Sequence, residues 1–198
     1  MELPYRKDNL TGMPLEHYAE LFRAAEVSEI EARLGLHAEN GVFRLTVLGE
    51  EKTVTYPDFA DEGWDDRRRI LFLRYLLEGK KTGAATGFVP YRALPWGSVY
   101  EAKFSQRCLA RLAGTYGNNI ALYREKCTAL GAKKLSGSGD GYEFAFLPGL
   151  SVRFIVWEGD EDFPASAQIL FSDNFPQAFS AEDCVVVCEC ILGAMKRA

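Results

Sequence analysis

Residues 132–157 admit little other than an antiparallel meander. A short run at 132–135 leads into Ser-Gly-Ser-Gly-Asp-Gly and then a second run at 142–147. Pro148-Gly149 follows, a tight-turn dipeptide in which proline presets its own φ and glycine accepts a positive one. Residues 151–157 return in strict alternation, with Val152, Phe154 and Val156 on one face and Arg153, Ile155 and Trp157 on the other. A period of two marks a strand with one face buried. A separate hairpin is expected at about 42–56. There Phe43, Leu45 and Val47 alternate, Gly49-Glu50-Glu51 turns the chain, and 52–56 brings it back.

Helical periodicity occupies the rest in separate runs. Leu15, Tyr18, Phe22 and Ala25 recur at helical spacing after Pro14, and Ser28 with Glu31 forms a capping-box pattern for a helix ending at Gly35. Asp65 or Asp66 can cap a helix through Glu78, with Ile70, Leu73 and Leu77 inside. Further helices are expected at 105–115, 119–130, 164–171 and 180–196, the last apolar on nearly every side. Between 79 and 104 the pattern is least regular. Pro90 and Pro95 among large aromatics predict an ordered loop, followed by a short strand at 99–104. Helices and hairpins without βαβ alternation predict an α+β fold, its antiparallel sheet covered by helices. Residues 1–13 read as a flexible arm and 14–198 as a single domain.

Charge is distributed unevenly. The first 66 residues hold six Lys and Arg against fifteen Asp and Glu; residues 67–153 hold fifteen against five; residues 154–195 hold none against eight. The basic middle is therefore expected to fold against acidic flanks, or in part to stay exposed and bind an anion. A net charge of −5 argues against nucleic acid as a partner. Residues 1–20 show no secretory apolar core, and no window reaches the length of a membrane span. With five cysteines and no export signal, the expected setting is a reducing cytoplasm.

Two segments could carry chemistry. The first is the turn at 158–162, with four acids in five residues (Glu158, Asp160, Glu161, Asp162). Asp160, Glu161, Asp162 and Asp173 could offer oxygen ligands to a hard cation, although the spacing fails the calcium-loop pattern and no metal is expected. Alternatively Glu161 or Asp162 caps a helix opened by Pro164, and the other acids pair with the basic middle. The second segment is the basic aromatic stretch of Tyr91, Arg92, Trp96, Tyr100 and Lys103, which could wall a planar or phosphorylated ligand or simply glue a loop to the core. Both could meet in one pocket, with Trp157 as a wall. Cys184, Cys188 and Cys190 lie on a helix without the glycines and prolines of a cluster loop and read as buried hydrophobes. Two histidines are too few for a histidine zinc site.

Two motifs together carry a resemblance. They are Gly87-Phe-Val-Pro-Tyr-Arg-Ala-Leu-Pro-Trp-Gly97 with Tyr100 and Phe104, and Trp157-Glu-Gly-Asp-Glu-Asp-Phe-Pro-Ala-Ser-Ala-Gln-Ile-Leu-Phe-Ser-Asp173. From about residue 15 to the C-terminus the chain resembles domain-of-unknown-function family 3786 of anaerobic bacteria and archaea. Some relatives carry an added four-cysteine iron–sulfur module, which implies a link to corrinoid or one-carbon chemistry. Here the first cysteine is Cys108, so that module is missing and no iron–sulfur cluster is expected. The resemblance brings no catalytic residues. The expectation is a soluble binding module for a small anionic ligand or cofactor, clamped by Arg92, walled by Tyr91 and Trp157, with Asp160 to Asp162 positioning Arg92. The alternatives are a carboxylate- or metal-dependent enzyme using the turn 158–162, and a protein–protein adaptor docking a basic partner.

Overall fold

The computed structural model describes residues 15–61 and 63–198; the expected arm at 1–13 and Pro14 lie outside these. Helices α1 (Leu15–Ala24) and α2 (Val27–Leu34) open the chain, followed by strands β1 (Ala38–Glu39), β2 (Val42–Val47) and β3 (Glu50–Thr55). Helix α3 (Asp66–Glu78) leads through an irregular stretch to β4 (Phe88–Pro90) and α4 (Gly97–Phe104). A π-helical turn, Ser105–Leu109, joins α4 to α5 (Ala110–Tyr116), and α6 (Ile120–Ala129) follows. Strands β5 (Lys133–Lys134), β6 (Asp140–Leu147), β7 (Leu150–Trp157) and β8 (Ser166–Ser172) precede the final helix α7 (Ala181–Arg197).

The expected α+β class holds: one antiparallel sheet has the order β1-β2-β3 and the other β4-β8-β7-β6-β5. Side-chain alternation dictates which face is buried. Val152, Phe154 and Val156 of β7, Phe144 of β6, and Ile169 and Phe171 of β8 are all buried, and α5, α6 and α7 pack on these strands. Phe154 is fully buried, and truncating it to alanine would cost about 3–5 kcal/mol. The hairpin adjoins the larger sheet through the Leu48 N–H, which donates to the Phe146 carbonyl at 3.0 Å. Among the described residues no helix is long and apolar enough to cross a membrane.

Three local expectations are corrected. Residues 164–171 are not a helix; β8 pairs with β7 from Val152↔Phe171 to Trp157↔Ser166. Ala167, Ile169 and Phe171 follow a period of two, and the unsatisfied edge of β7 selects that period over helical propensity. Residues 99–104 belong to α4, while the strand of this region is β4, antiparallel to β8 through Phe88↔Ser172 and Pro90↔Leu170. Pro90 is tolerated because β4 is the sheet's edge, where a missing N–H faces no partner. Ser28 caps nothing: α2 starts after Glu26 without a side-chain cap, and Glu31 instead accepts from the Ala38 N–H at 2.7 Å.

Candidate functional site

Helix α3 contains the run Ile70-Leu-Phe-Leu-Arg74-Tyr-Leu-Leu77, in which a single charge interrupts eight otherwise uncharged positions. Arg74 is only 2% exposed. A guanidinium removed from water needs partners, and helix α7 brings them. Ser180 is the N-cap of α7 and forms a reciprocal capping box with Asp183. The Ser180 backbone N–H donates to Asp183 Oδ2 at 3.0 Å, and the Asp183 N–H donates back to Ser180 Oγ at 3.3 Å. Arg74 Nη2 donates to Ser180 Oγ at 3.1 Å and lies 3.2 Å from Asp183 Oδ2. Glu78 and Glu182 stand 3.9 and 4.0 Å from the same guanidinium, which also sits 5.8 Å from the centroid of the Tyr18 ring. Burial pulls the Arg74 pKa down, but Asp183, then Tyr18, Glu78 and Glu182, outweigh it and the pKa is raised. The charge is therefore permanent.

Above this network lies a cleft enclosing about 250 Å³. Its floor is Arg74, Glu78 and Asp183; the stretch 176–181 forms one wall and 94–96 the other. Trp96 is 75% exposed and holds φ at +65°, a left-handed backbone rarely adopted by a bulky residue. The next residue has to be Gly97, because a Cβ there would fall 1.9 Å from the Tyr91 carbonyl oxygen. Tyr91 itself is buried: its ring stacks on Phe104 with centroids 3.9 Å apart, and its hydroxyl donates to the Ala181 carbonyl at 2.9 Å. The loop that presents the tryptophan is thus locked to the start of α7. Strained backbone held by surrounding structure tends to gather at binding sites.

The residues singled out from sequence are scattered. Of them, Trp96 lines the cleft, and Tyr91 supports it from the core. Tyr100 packs partly buried on the core, and Arg92 is exposed, with no ion pair to a described carboxylate. The Trp157 indole donates to Ser138 Oγ at 3.0 Å in the glycine-rich turn. Asp173 accepts from the hydroxyl and the N–H of Thr86, contacts that hold its carboxyl below the ordinary range.

No helix follows Pro164, so neither Glu161 nor Asp162 caps one. The turn closes on itself instead. Asp160 Oδ1 accepts from the N–H groups of Asp162 and Phe163 at 2.9 and 2.7 Å, and the Gly159 N–H donates to the Gly117 carbonyl at 3.2 Å. Among the described residues none of these acids is ion-paired. The basic middle does fold against acidic segments, but at other positions. Arg107 grips Glu189 with two bonds of 3.0 and 2.8 Å, Arg69 meets Asp61 at 2.8 Å, and Arg74 takes Asp183.

Other chemistry finds less footing. All five cysteines are unbridged and buried; burial pushes the Cys127 thiol up to about 12 and Cys190 up to about 11, which suppresses the reactive thiolate. No three His, Cys, Asp or Glu side chains among the described residues are grouped as a metal would need.

Fold and site together define an α+β domain with a charged cleft beneath an exposed tryptophan. Over residues 26–194 the chain matches the model of the domain-of-unknown-function family DUF3786, and it belongs to that family. No curated protein matches it, and neither does any solved structure.

Proposed function

We propose that this domain is a small-molecule binding module whose site is the cleft between 94–96 and 176–181. The observation that carries the proposal is Trp96, in a strained left-handed backbone and projected into water at the lip of the cavity. Strained backbone of this kind gathers at binding sites, and an indole face is an effective wall for a ligand. The site expected from sequence is thereby moved: the aromatic loop 87–100 supplies Trp96, while Arg74 takes the place of Arg92 at the polar floor. The volume is too small to enclose a corrin ring, so a bound corrinoid forms no part of the proposal.

A fragment screen by thermal shift, followed by amide NMR, tests it. Binders should move the amides of Ala178, Phe179 and Ser180, and their effect should vanish in Trp96→Asn. Asparagine tolerates the left-handed region, so the fold of this variant should survive within about 1 kcal/mol. Binders that map elsewhere, or that bind Trp96→Asn equally well, would overturn the proposal.

A further inference from the structure

The structure assigns a second site, independent of the cleft, to a cavity of about 210 Å³ at the other end of the α3–α7 contact, with phosphate as its ligand, free or as a small monoester. Helices α3 and α7 run antiparallel. Arg74 meets Asp183 at one end, and Arg67 meets Glu189 at 3.5 Å toward the other, about two helical turns away. Arg67, Arg68 and Arg111 line this second cavity together with Asp65 and Glu189. Gly193 of α7 lines it too, and a Cβ there would lie 3.5 Å from Arg68 Nη2 and 3.6 Å from Arg197 Nη1, so two guanidiniums converge on the one position without a side chain.

Both carboxylates of the cavity are already committed. Arg107 holds Glu189 through two bonds of 3.0 and 2.8 Å, so Arg67 shares an acid that another guanidinium neutralises. Asp65 is the N-cap of α3 and accepts from the Arg68 backbone N–H at 3.0 Å. Its other oxygen stands 3.9 Å from Arg68 Nη1, beyond hydrogen-bond reach, although Arg68 keeps only 23% of its side chain in water. Arg111 is exposed and has no ion pair to a described residue. Arg197 acts on Glu50, but Lys52 already holds that carboxylate at 2.8 Å. Asp66 and Lys196, the remaining charges nearby in sequence, lie outside the lining. Positive charge therefore prevails at the cavity, and an anion among these like charges relieves their repulsion. The guanidinium fork selects which anion. Phosphate presents enough oxygens for several forks at once, where a carboxylate presents two. At roughly 30 Å³ per water, 210 Å³ holds about seven waters, room for a phosphoryl group and a short stem.

Calorimetric titration of the full chain tests this, with inorganic phosphate and glycerol 3-phosphate as probes and acetate as control, in a buffer free of phosphate and sulfate. Phosphate should bind, weaken with added salt, and lose roughly tenfold in affinity in Arg111→Ala, the scale of one charge-assisted contact. Arg111 is exposed and unpaired, so its removal should leave the fold intact. Gly193→Asp supplies the cavity with an anion of its own beside Arg68 and Arg197; it should reduce phosphate affinity more than tenfold and leave thermal stability no lower. Tighter binding of glycerol 3-phosphate assigns the ligand to a monoester, and tighter binding of inorganic phosphate assigns it to the free ion. Trp96→Asn should change neither affinity, which separates this site from the cleft; phosphate binding lost in that variant would overturn the assignment. Acetate binding as tightly as phosphate would overturn the phosphoryl class. Absence of phosphate binding, or equal binding in Arg111→Ala and Gly193→Asp, would overturn the site.

Discussion

The acid-rich turn at 158–162 and the acids at the start of α7 have similar composition and opposite fates. In the turn, Asp160 serves its own backbone by accepting two N–H bonds, and its neighbours remain in water. At α7, Asp183 is buried and pairs with a guanidinium that reaches it from a helix 109 residues earlier in the chain. An exposed carboxylate is solvated whether or not it has a partner, so its removal costs little. A buried one without its counter-ion is a large penalty, so the pair must stay intact. The density of acids along a sequence is therefore a poor guide to where charge matters. A lone charge within an apolar run is a better one.

Four experiments would break or sharpen this contrast. The largest effect belongs to Arg74→Met, which strands Asp183 in the interior and should lower stability by about 3–5 kcal/mol in urea denaturation. A loss below about 1 kcal/mol would show that the network is as dispensable as the turn. Combining Arg74→Met with Asp183→Asn should recover part of the deficit, since the two positions are coupled.

Ser180→Ala removes both the cap of α7 and one acceptor of Arg74. The expected cost is roughly 1–2 kcal/mol, and a value within error of zero would count against the capping geometry.

The pH profile separates interior from exterior. Burial raises the Cys127 pKa up to about 12, so folding favours its protonated form. That contribution is whole below the unfolded thiol pKa of about 8.5 and is lost as pH rises toward the folded value. Cys127→Ala should flatten this alkaline limb. Asp140 behaves oppositely. Hydrogen bonds from Arg124 lower its pKa, so its contribution is present above the unfolded value of about 3.9 and is lost as pH falls through the folded one. Asp140→Asn should flatten the acid limb, and an unchanged limb would show that the Arg124 contact contributes nothing.

Smallest are the substitutions in the turn. Glu161→Gln and Asp162→Asn should each stay within about 0.5 kcal/mol, while Asp160→Ala, which loses two turn bonds, should cost about 0.5–1.5 kcal/mol. A larger effect from Glu161 or Asp162 would erase the contrast between the two regions.

Much of the fold was legible because its periods are local. The alternation in β7, the Pro148-Gly149 turn and the apolar run of α7 each lie within a few residues, and the structure follows them. The alternation Ala167, Ile169, Phe171 was equally local, yet residues 164–171 read as a helix because a short apolar run fits either period. Only the open edge of β7 decides it. The loop 87–97 was legible as ordered and aromatic, but not its strand, since a three-residue edge strand ending in proline has no signal apart from the β8 it pairs with.

For the candidate site, the sequence alone pointed to Trp96 among the aromatics that could line a pocket and to Arg92 as the cation beside them. Arg74 was passed over inside an apolar helix, although one charge in such a run was the available signal. What only the tertiary structure decided is which charges meet. Pairing of Arg74 with Ser180 and Asp183 spans more than half the chain, and no local pattern encodes it. Local hydrophobic period is written into neighbouring residues; the company a buried charge keeps is set by how α3 and α7 pack.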